Sequence, residues 1–141
     1  MFRMKGVIPP MIVPFQKNGE LDLVGLNTLT DFLADRVDGL FITGSYGSGV
    51  LLTEEERKTV MKTVIERVGG RIPVIVHVGT ADNYSSARLT KYAVDCGAAA
   101  VSAVGPYYYK HNADSICSFY TDIVRAVDGR MPVYVRSEEH T

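Results

Sequence analysis

Cysteine, histidine and clustered basic charge are all scarce in this chain. Its two cysteines, Cys96 and Cys117, have no C-x-x-C spacing, and His77, His111 and His140 are scattered, so neither a disulfide framework nor a zinc site is supported. Both cysteines read as buried apolar fillers, and no metal or cofactor is expected. No basic cluster exceeds the Arg57-Lys58 pair, and 15 basic residues against 16 acidic ones leave a formal net charge of -1. The footprint of a nucleic-acid or membrane partner is therefore absent, which favours small-molecule partners. Met1 to Lys5 runs straight into a strand-like segment without the apolar stretch and cleavage site of a signal peptide, so a cytoplasmic location is expected.

What is present suits one globular domain: 141 residues, 46% of them hydrophobic, are enough to bury a core. Gly6 to Phe15 is an apolar run fit for a strand, with Pro9 and Pro10 interrupting its hydrogen bonding, so an edge or bulged first strand is expected. Asp22 can cap a helix carrying Leu26, Leu29, Phe32 and Leu33 at helical spacing. Leu40 to Thr43 is a short strand. Thr53-Glu54-Glu55-Glu56 reads as a capping box, and Val60, Met61, Val64, Ile65 and Val68 form the stripe of the helix it opens, closed by Gly69-Gly70. Arg71 to Gly79 gives a third strand, Asp82 to Cys96 a helix, and Ala98 to Val104 a fourth strand broken by Gly105-Pro106. A fourth helix from Asn112 ends at Asp128-Gly129, before a fifth strand over Met131 to Val135.

Five strands alternating with four helices predict an α/β fold with a parallel sheet of right-handed βαβ units. A doubly wound sheet would carry its phosphate fingerprint after the first strand, yet Phe15-Gln16-Lys17-Asn18-Gly19 is no G-x-G-x-x-G. A (β/α)₈ barrel needs about 200 to 250 residues, so this chain could hold only the first half of one plus a strand. Either architecture places the site after strands two, three and four. The stretch Gly44-Ser45-Tyr46-Gly47-Ser48-Gly49 lies there, with glycines that allow amide groups to approach an anion and hydroxyls in the same small volume. As an isolated motif it reads first as a tight βα connection that needs glycine for its turn.

These residues resemble the dihydrodipicolinate synthase and N-acetylneuraminate lyase family. Gly6 to Phe15 is similar to the family's G-x-x-x-x-x-x-T-P-F opening, with Val13 where Thr is usual. Gly44-Ser45-Tyr46-Gly47-Ser48 is similar to its G-[ST]-T-G-E loop, and Leu52-Thr53-x-x-Glu56-Arg57 to the helix start that follows. Arg71 to Ile75 and Pro106-Tyr107-Tyr108 match as well, and Ile75-Val76-His77-Val78-Gly79 looks more like the neuraminate lyase branch. The resemblance implies the N-terminal half of a (β/α)₈ barrel over residues 1–135, truncated after strand 5. It also implies class I, Schiff-base chemistry, in which a lysine amine attacks the keto carbon of pyruvate or a related 2-oxo acid. The resulting enamine adds to, or is released from, an aldehyde-type second substrate, in a parent enzyme that is a dimer or tetramer.

By the same resemblance, Ser45 and Tyr108 are the catalytic candidates, and Gly44, Ser45, Tyr46 and Gly47 form the substrate-binding loop. Tyr108 matches the tyrosine that reaches across a dimer interface into the neighbour's proton relay. Tyr46 and Ser48 depart from the usual Thr and Glu. Tyr107 and Tyr109 read as an aromatic shelf. His77, with no acid or metal partner nearby in sequence, reads first as a structural histidine, ligand polarisation being the alternative.

The family's tyrosine acid/base falls at Arg136, four residues after Pro132, and its Schiff-base lysine belongs to a sixth strand. Lys110 lies in a loop and Lys58, Lys62 and Lys91 on helices, so none replaces it. Arg136 to Thr141 is an abrupt charged run that the bases AGATCGGAAGAGCACAC, resembling the start of a common sequencing adapter, encode in frame; residues 136–141 are expected to be a non-native tail. The chain itself is accordingly expected to be inactive, with a noncatalytic half-barrel that binds or assembles as the rival reading.

Overall fold

Four helices and four strands alternate along residues 4–136, the part of the chain that this computed structural model describes. In order they are α1 (Leu23–Ala34), β1 (Leu40–Ile42), α2 (Glu54–Val68), β2 (Val74–His77), α3 (Asn83–Asp95), β3 (Ala100–Val104), α4 (Ala113–Val127) and β4 (Val133–Arg136). Every helix starts where a side chain can take an orphan amide. The Asp22 carboxylate accepts from Gly25 N–H, Asp82 from Ser85 and the Asn112 side-chain oxygen from Ser115. At α2 the box is reciprocal: Glu56 N–H donates to the Thr53 hydroxyl at 3.2 Å and Thr53 N–H to the Glu56 carboxylate at 2.8 Å.

The strands pair in parallel in the order β1-β2-β3-β4, with Leu40 beside Val74, Val76 beside Val101 and Ala103 beside Val135. The expected first strand is the exception. Gly6 to Phe15 contributes one parallel bridge, Pro10 to Phe41, held by Met11 N–H to the Phe41 carbonyl at 2.8 Å and Phe41 N–H to the Pro9 carbonyl at 3.1 Å. Pro9 and Pro10 bring no N–H of their own, so the segment lies along β1 without forming a ladder.

Alternation along the strands separates two faces. Leu40 and Ile42, Val74 and Val76, and Val101 and Ala103 join the helix residues Leu26, Val60, Met61, Val64, Leu89, Phe119 and Ile123 in one buried core. Phe41 and Ile75 instead line the other face, beside Ile8 and Pro10. The helical layer is laced by cross-helix pairs: Asp31 of α1 with Arg67 and Arg71, Glu54 of α2 with Arg88 at 2.7 Å, and Asn83 of α3 with Asp122 at 2.8 Å. The Arg88 and Lys58 contacts hold the Glu54 carboxyl down at about 2. The result is a half-barrel-like α/β unit, helices outside and strands within.

One smaller expectation changes. Cys117 is exposed on α4 and Cys96 only half-buried, so neither is a buried filler. The strand β4 runs through Arg136, which pairs with Val104; positions 137–141 of the expected tail lie outside the described residues. No helix among the described residues is long and apolar enough to cross a membrane, and no cluster of three His, Cys, Asp or Glu side chains there could hold a metal.

Candidate functional site

The carboxyl ends of the four strands deliver their loops to a single cleft of about 640 Å³. Thr43, Gly44 and Ser45 reach it from the end of β1, His77 from β2, Tyr107 and Tyr108 from beyond β3, and Arg136 from β4, while Ile116 and Tyr120 of α4 close one side. The ends of parallel strands are where backbone irregularity can be concentrated without breaking the ladder.

The loop after β1 begins with strain. Thr43 has φ of +57°, an outlying conformation for a β-branched residue. Its hydroxyl lies 2.7 Å from the Ile42 carbonyl and 2.8 Å from the His77 carbonyl and shares its one proton between them. Ser45, Tyr46 and Gly47 then form one 3₁₀ turn. The Gly47, Ser48 and Gly49 amides donate back to Gly44 and Ser45 carbonyls, so the turn is folded on itself. A Cβ at Gly49 would sit 1.9 Å from the Thr43 carbonyl oxygen, and one at Gly47 2.9 Å from that of Met11, so these two glycines serve close backbone approach. The Ser45 and Tyr46 amides have no acceptor among the described residues, which leaves two donors beside the Ser45 hydroxyl.

Of the expected binding residues, Gly44 and Ser45 line the cleft. Tyr46, 74% exposed, instead borders a second hollow of about 450 Å³ on the inner face, shared with Ser45, Phe41 and Arg136. Gly47 is buried and lines neither space. Tyr108 does reach the cleft. It is 87% exposed, has φ of +83°, and meets the Tyr109 ring edge-on at 4.9 Å. A bulky residue held in the left-handed region with so little burial is strained, and such strain concentrates at functional sites.

Two residues to which the sequence assigns no binding role, Arg57 within the α2 start and His77 read first as structural, are joined beneath the cleft. Arg57 sits in a run of charges, Glu54 to Lys58, that reads as a solvated helix face, yet it is buried. Its guanidinium donates to the His77 carbonyl at 2.6 Å and the Gly79 carbonyl at 3.1 Å, satisfying acceptors at the end of β2, while its Nε has no partner. Burial brings its pKa to about 10, against which Tyr107 and Glu54 work by charge, so it remains a cation at neutral pH. His77 is bound on several sides: its carbonyl accepts from Arg57 and Thr43, and its Nε2 accepts from Val104 N–H at 3.2 Å. Burial first, then the positive charges of Arg57 and Arg136, lower its pKa to about 4, so the ring is neutral at pH 7. Tyr120 completes the wall, its hydroxyl placed to donate to the Ala103 carbonyl at 3.2 Å or to that of Arg136 at 3.3 Å; burial raises its pKa.

Chemically, the cleft offers hydroxyl and amide donors on the β1 side, a neutral imidazole on the floor and tyrosines opposite. No lysine lines it among the described residues. The described lining thus holds hydrogen-bonding groups but no nucleophilic amine.

Comparison with known proteins bears on the fold and the family. N-acetylneuraminate lyase from Mycoplasma synoviae is 36% identical and superposes with a TM-score of 0.88 over 93% of this chain and 45% of its own. YagE from E. coli K12, a prophage protein of the dihydrodipicolinic acid synthase family solved with pyruvate, is 32% identical, with a TM-score of 0.87 over 92% and 43%. Dihydrodipicolinate synthase from Aquifex aeolicus is 30% identical, with a TM-score of 0.88 over 94% and 44%. This chain spans less than half the length of each of these relatives. Residues 3–138 match the model of the dihydrodipicolinate synthetase family, and the chain belongs to that family.

Proposed function

We propose that this chain is the pyruvate-binding half of a class I, Schiff-base lyase or aldolase that makes or breaks a carbon–carbon bond to pyruvate. The observation that carries the reading is the convergence of Ser45 and Tyr108, from loops 63 residues apart, on one cleft at the carboxyl ends of the strands. Ser45, with the free Ser45 and Tyr46 amides, suits a 2-oxo acid carboxylate, since hydrogen bonds to a charged acceptor are worth about 1.5–3 kcal/mol each. Tyr108, almost wholly exposed, suits a group that works across a subunit contact in a dimeric or tetrameric parent. Pyruvate is the first substrate on this reading, which the E. coli relative's structure in complex with pyruvate supports, and an aldehyde-type compound the second.

The lysine that condenses with the keto carbon, releasing water to form the imine, lies on this proposal in the portion of the relatives' length that the chain does not span. The chain alone is then inactive, because positioning without the nucleophile gains nothing. Trapping with pyruvate and borohydride, read by intact mass, tests both statements on this chain and on a version extended through the rest of the source gene. Labelling of the extended protein only is the expected result. Stoichiometric labelling of the short chain would refute its inactivity. A folded extended protein that takes no label would leave the noncatalytic binding or assembly module as the better reading.

A further inference from the structure

Thr43 turns the chain out of β1 in a conformation that its β-branched side chain opposes, with φ of +57°. Such a conformation persists only where the surroundings over-determine it. Here His77 grips Thr43 twice. The Thr43 hydroxyl lies 2.8 Å from the His77 carbonyl, and the Thr43 backbone is in turn a hydrogen-bond partner of the imidazole. His77 is itself anchored, its carbonyl by the Arg57 guanidinium at 2.6 Å and its Nε2 by Val104 N–H at 3.2 Å, so the grip is tied to α2 and β3.

The direction set at Thr43 passes to the turn after it with little slack. Gly44 lies so close to the Phe41 ring that an added Cβ would stand 2.5 Å from it, and the Gly44 carbonyl accepts from both the Gly47 and the Gly49 amides at 3.0 Å. The Gly49 backbone closes back against the Thr43 carbonyl. Ser45, with its free amide, stands inside this closed loop. Released to an ordinary negative φ, Thr43 would redirect Gly44 and the carbonyl that both amides use.

Resting on the Schiff-base reading above, we propose that Thr43 is a positioning residue: its left-handed backbone, held by the hydroxyl bond to the His77 carbonyl, aims the Ser45 hydroxyl and the Ser45 and Tyr46 amides at the 2-oxo acid carboxylate. Its contribution runs through Ser45 rather than through contact with the ligand.

The test reads the pyruvate concentration that half-saturates borohydride trapping, on the protein extended through the rest of the source gene, with urea midpoints measured alongside. Thr43→Ser keeps the hydroxyl and is expected to stay within about threefold of the wild type. Thr43→Ala loses the hydroxyl while still resisting positive φ, and should raise the half-saturating concentration about tenfold, the worth of one hydrogen bond to a charged acceptor. Full labelling should still be reached at saturating pyruvate. Thr43→Gly also loses the hydroxyl but takes positive φ without strain, and should recover most of the affinity. Thr43 is fully buried, so packing alone predicts the opposite order, glycine leaving the larger void. Affinity that falls further from Ala to Gly, affinity equal in all the proteins, or a loss of about tenfold in Thr43→Ser would each overturn the proposal. Should Thr43→Ala not fold, a loss of about tenfold in Thr43→Gly overturns it alone, and affinity near the wild type there supports it. A wild type that takes no label refutes the Schiff-base reading and this role with it, whereas a labelled wild type beside variants in the wrong order refutes this role only.

Discussion

The two faces of the sheet are built from alternate residues of the same short strands, yet they are organised for different ends. Toward the helices, Leu40, Ile42, Val74, Val76, Val101 and Ala103 pack into a core with no unusual backbone beneath it. The other face carries Phe41 and Ile75, and the strand-end loops beside it hold three of the four described non-glycine residues with positive φ, Thr43, Ser48 and Tyr108, of which Thr43 and Tyr108 line the cleft. The fourth, Asp128, merely closes α4. Stability is thus concentrated on one side and strain on the other, so substitutions on the two sides should differ in sign as well as size.

The largest effect belongs to the helix side. Phe119 of α4 is fully buried and meets Tyr120 edge-on at 5.4 Å. Phe119→Ala removes a whole ring from a packed layer and is expected to cost roughly 3–5 kcal/mol. Urea unfolding of the extended protein would check this. A loss below about 1 kcal/mol would mean that the helical layer relaxes easily and that the two faces differ less than their burial implies.

The cleft floor comes next, and there the cost depends on pH. His77 titrates near an ordinary 6.5 when unfolded but at about 4 when folded, chiefly because it is buried. Between those values the unfolded chain holds the extra proton, so stability is complete above pH 6.5 and falls as pH drops toward 4, by roughly 3 kcal/mol in all. His77→Phe should flatten that part of the profile. Unfolding midpoints for both proteins at pH 7 and pH 4.5 would show it, with carboxylate effects common to the two. Parallel profiles would place the acid sensitivity elsewhere.

How much of this division is legible in the sequence follows from how local each signal is. Helix starts are local: Asp22, Thr53, Asp82 and Asn112 each cap within three residues, and all four starts fall where those side chains put them. The cleft loops are legible too, because Gly44-Ser45 and Pro106-Tyr107-Tyr108 break apolar strands at their carboxyl ends. The floor is not. Arg57 looks like one more charge on a solvated helix until the His77 and Gly79 carbonyls, twenty and more residues away, are seen to need its donors. The left-handed turn at Thr43 contradicts its own β-branched side chain and is held by a bond to His77, 34 residues on. The first strand fails for a different reason: the apolar run is present, but Pro9 and Pro10 lack the amides a ladder requires.

The smallest effect is the one that reverses sign. Tyr108 is exposed, has φ of +83° and touches only Tyr109 among the described aromatic pairs, so its side chain contributes little to folding while its backbone is strained. Left-handed backbone costs an L-residue about 1–2 kcal/mol, of which the larger chain entropy of glycine takes back about 0.5–1 kcal/mol. Tyr108→Gly should therefore stabilise the protein by about 0.5–1 kcal/mol, whereas Tyr108→Ala, which keeps the strain and loses only an exposed ring, should leave the urea midpoint nearly in place. If Tyr108 belongs to a proton relay, both variants of the extended protein should also lose about tenfold or more in turnover. Greater stability with lower turnover in Tyr108→Gly would mean that the rim is strained for function. A midpoint that falls in both variants would mean instead that the ring is structural and that the contrast between the two faces stops short of the rim.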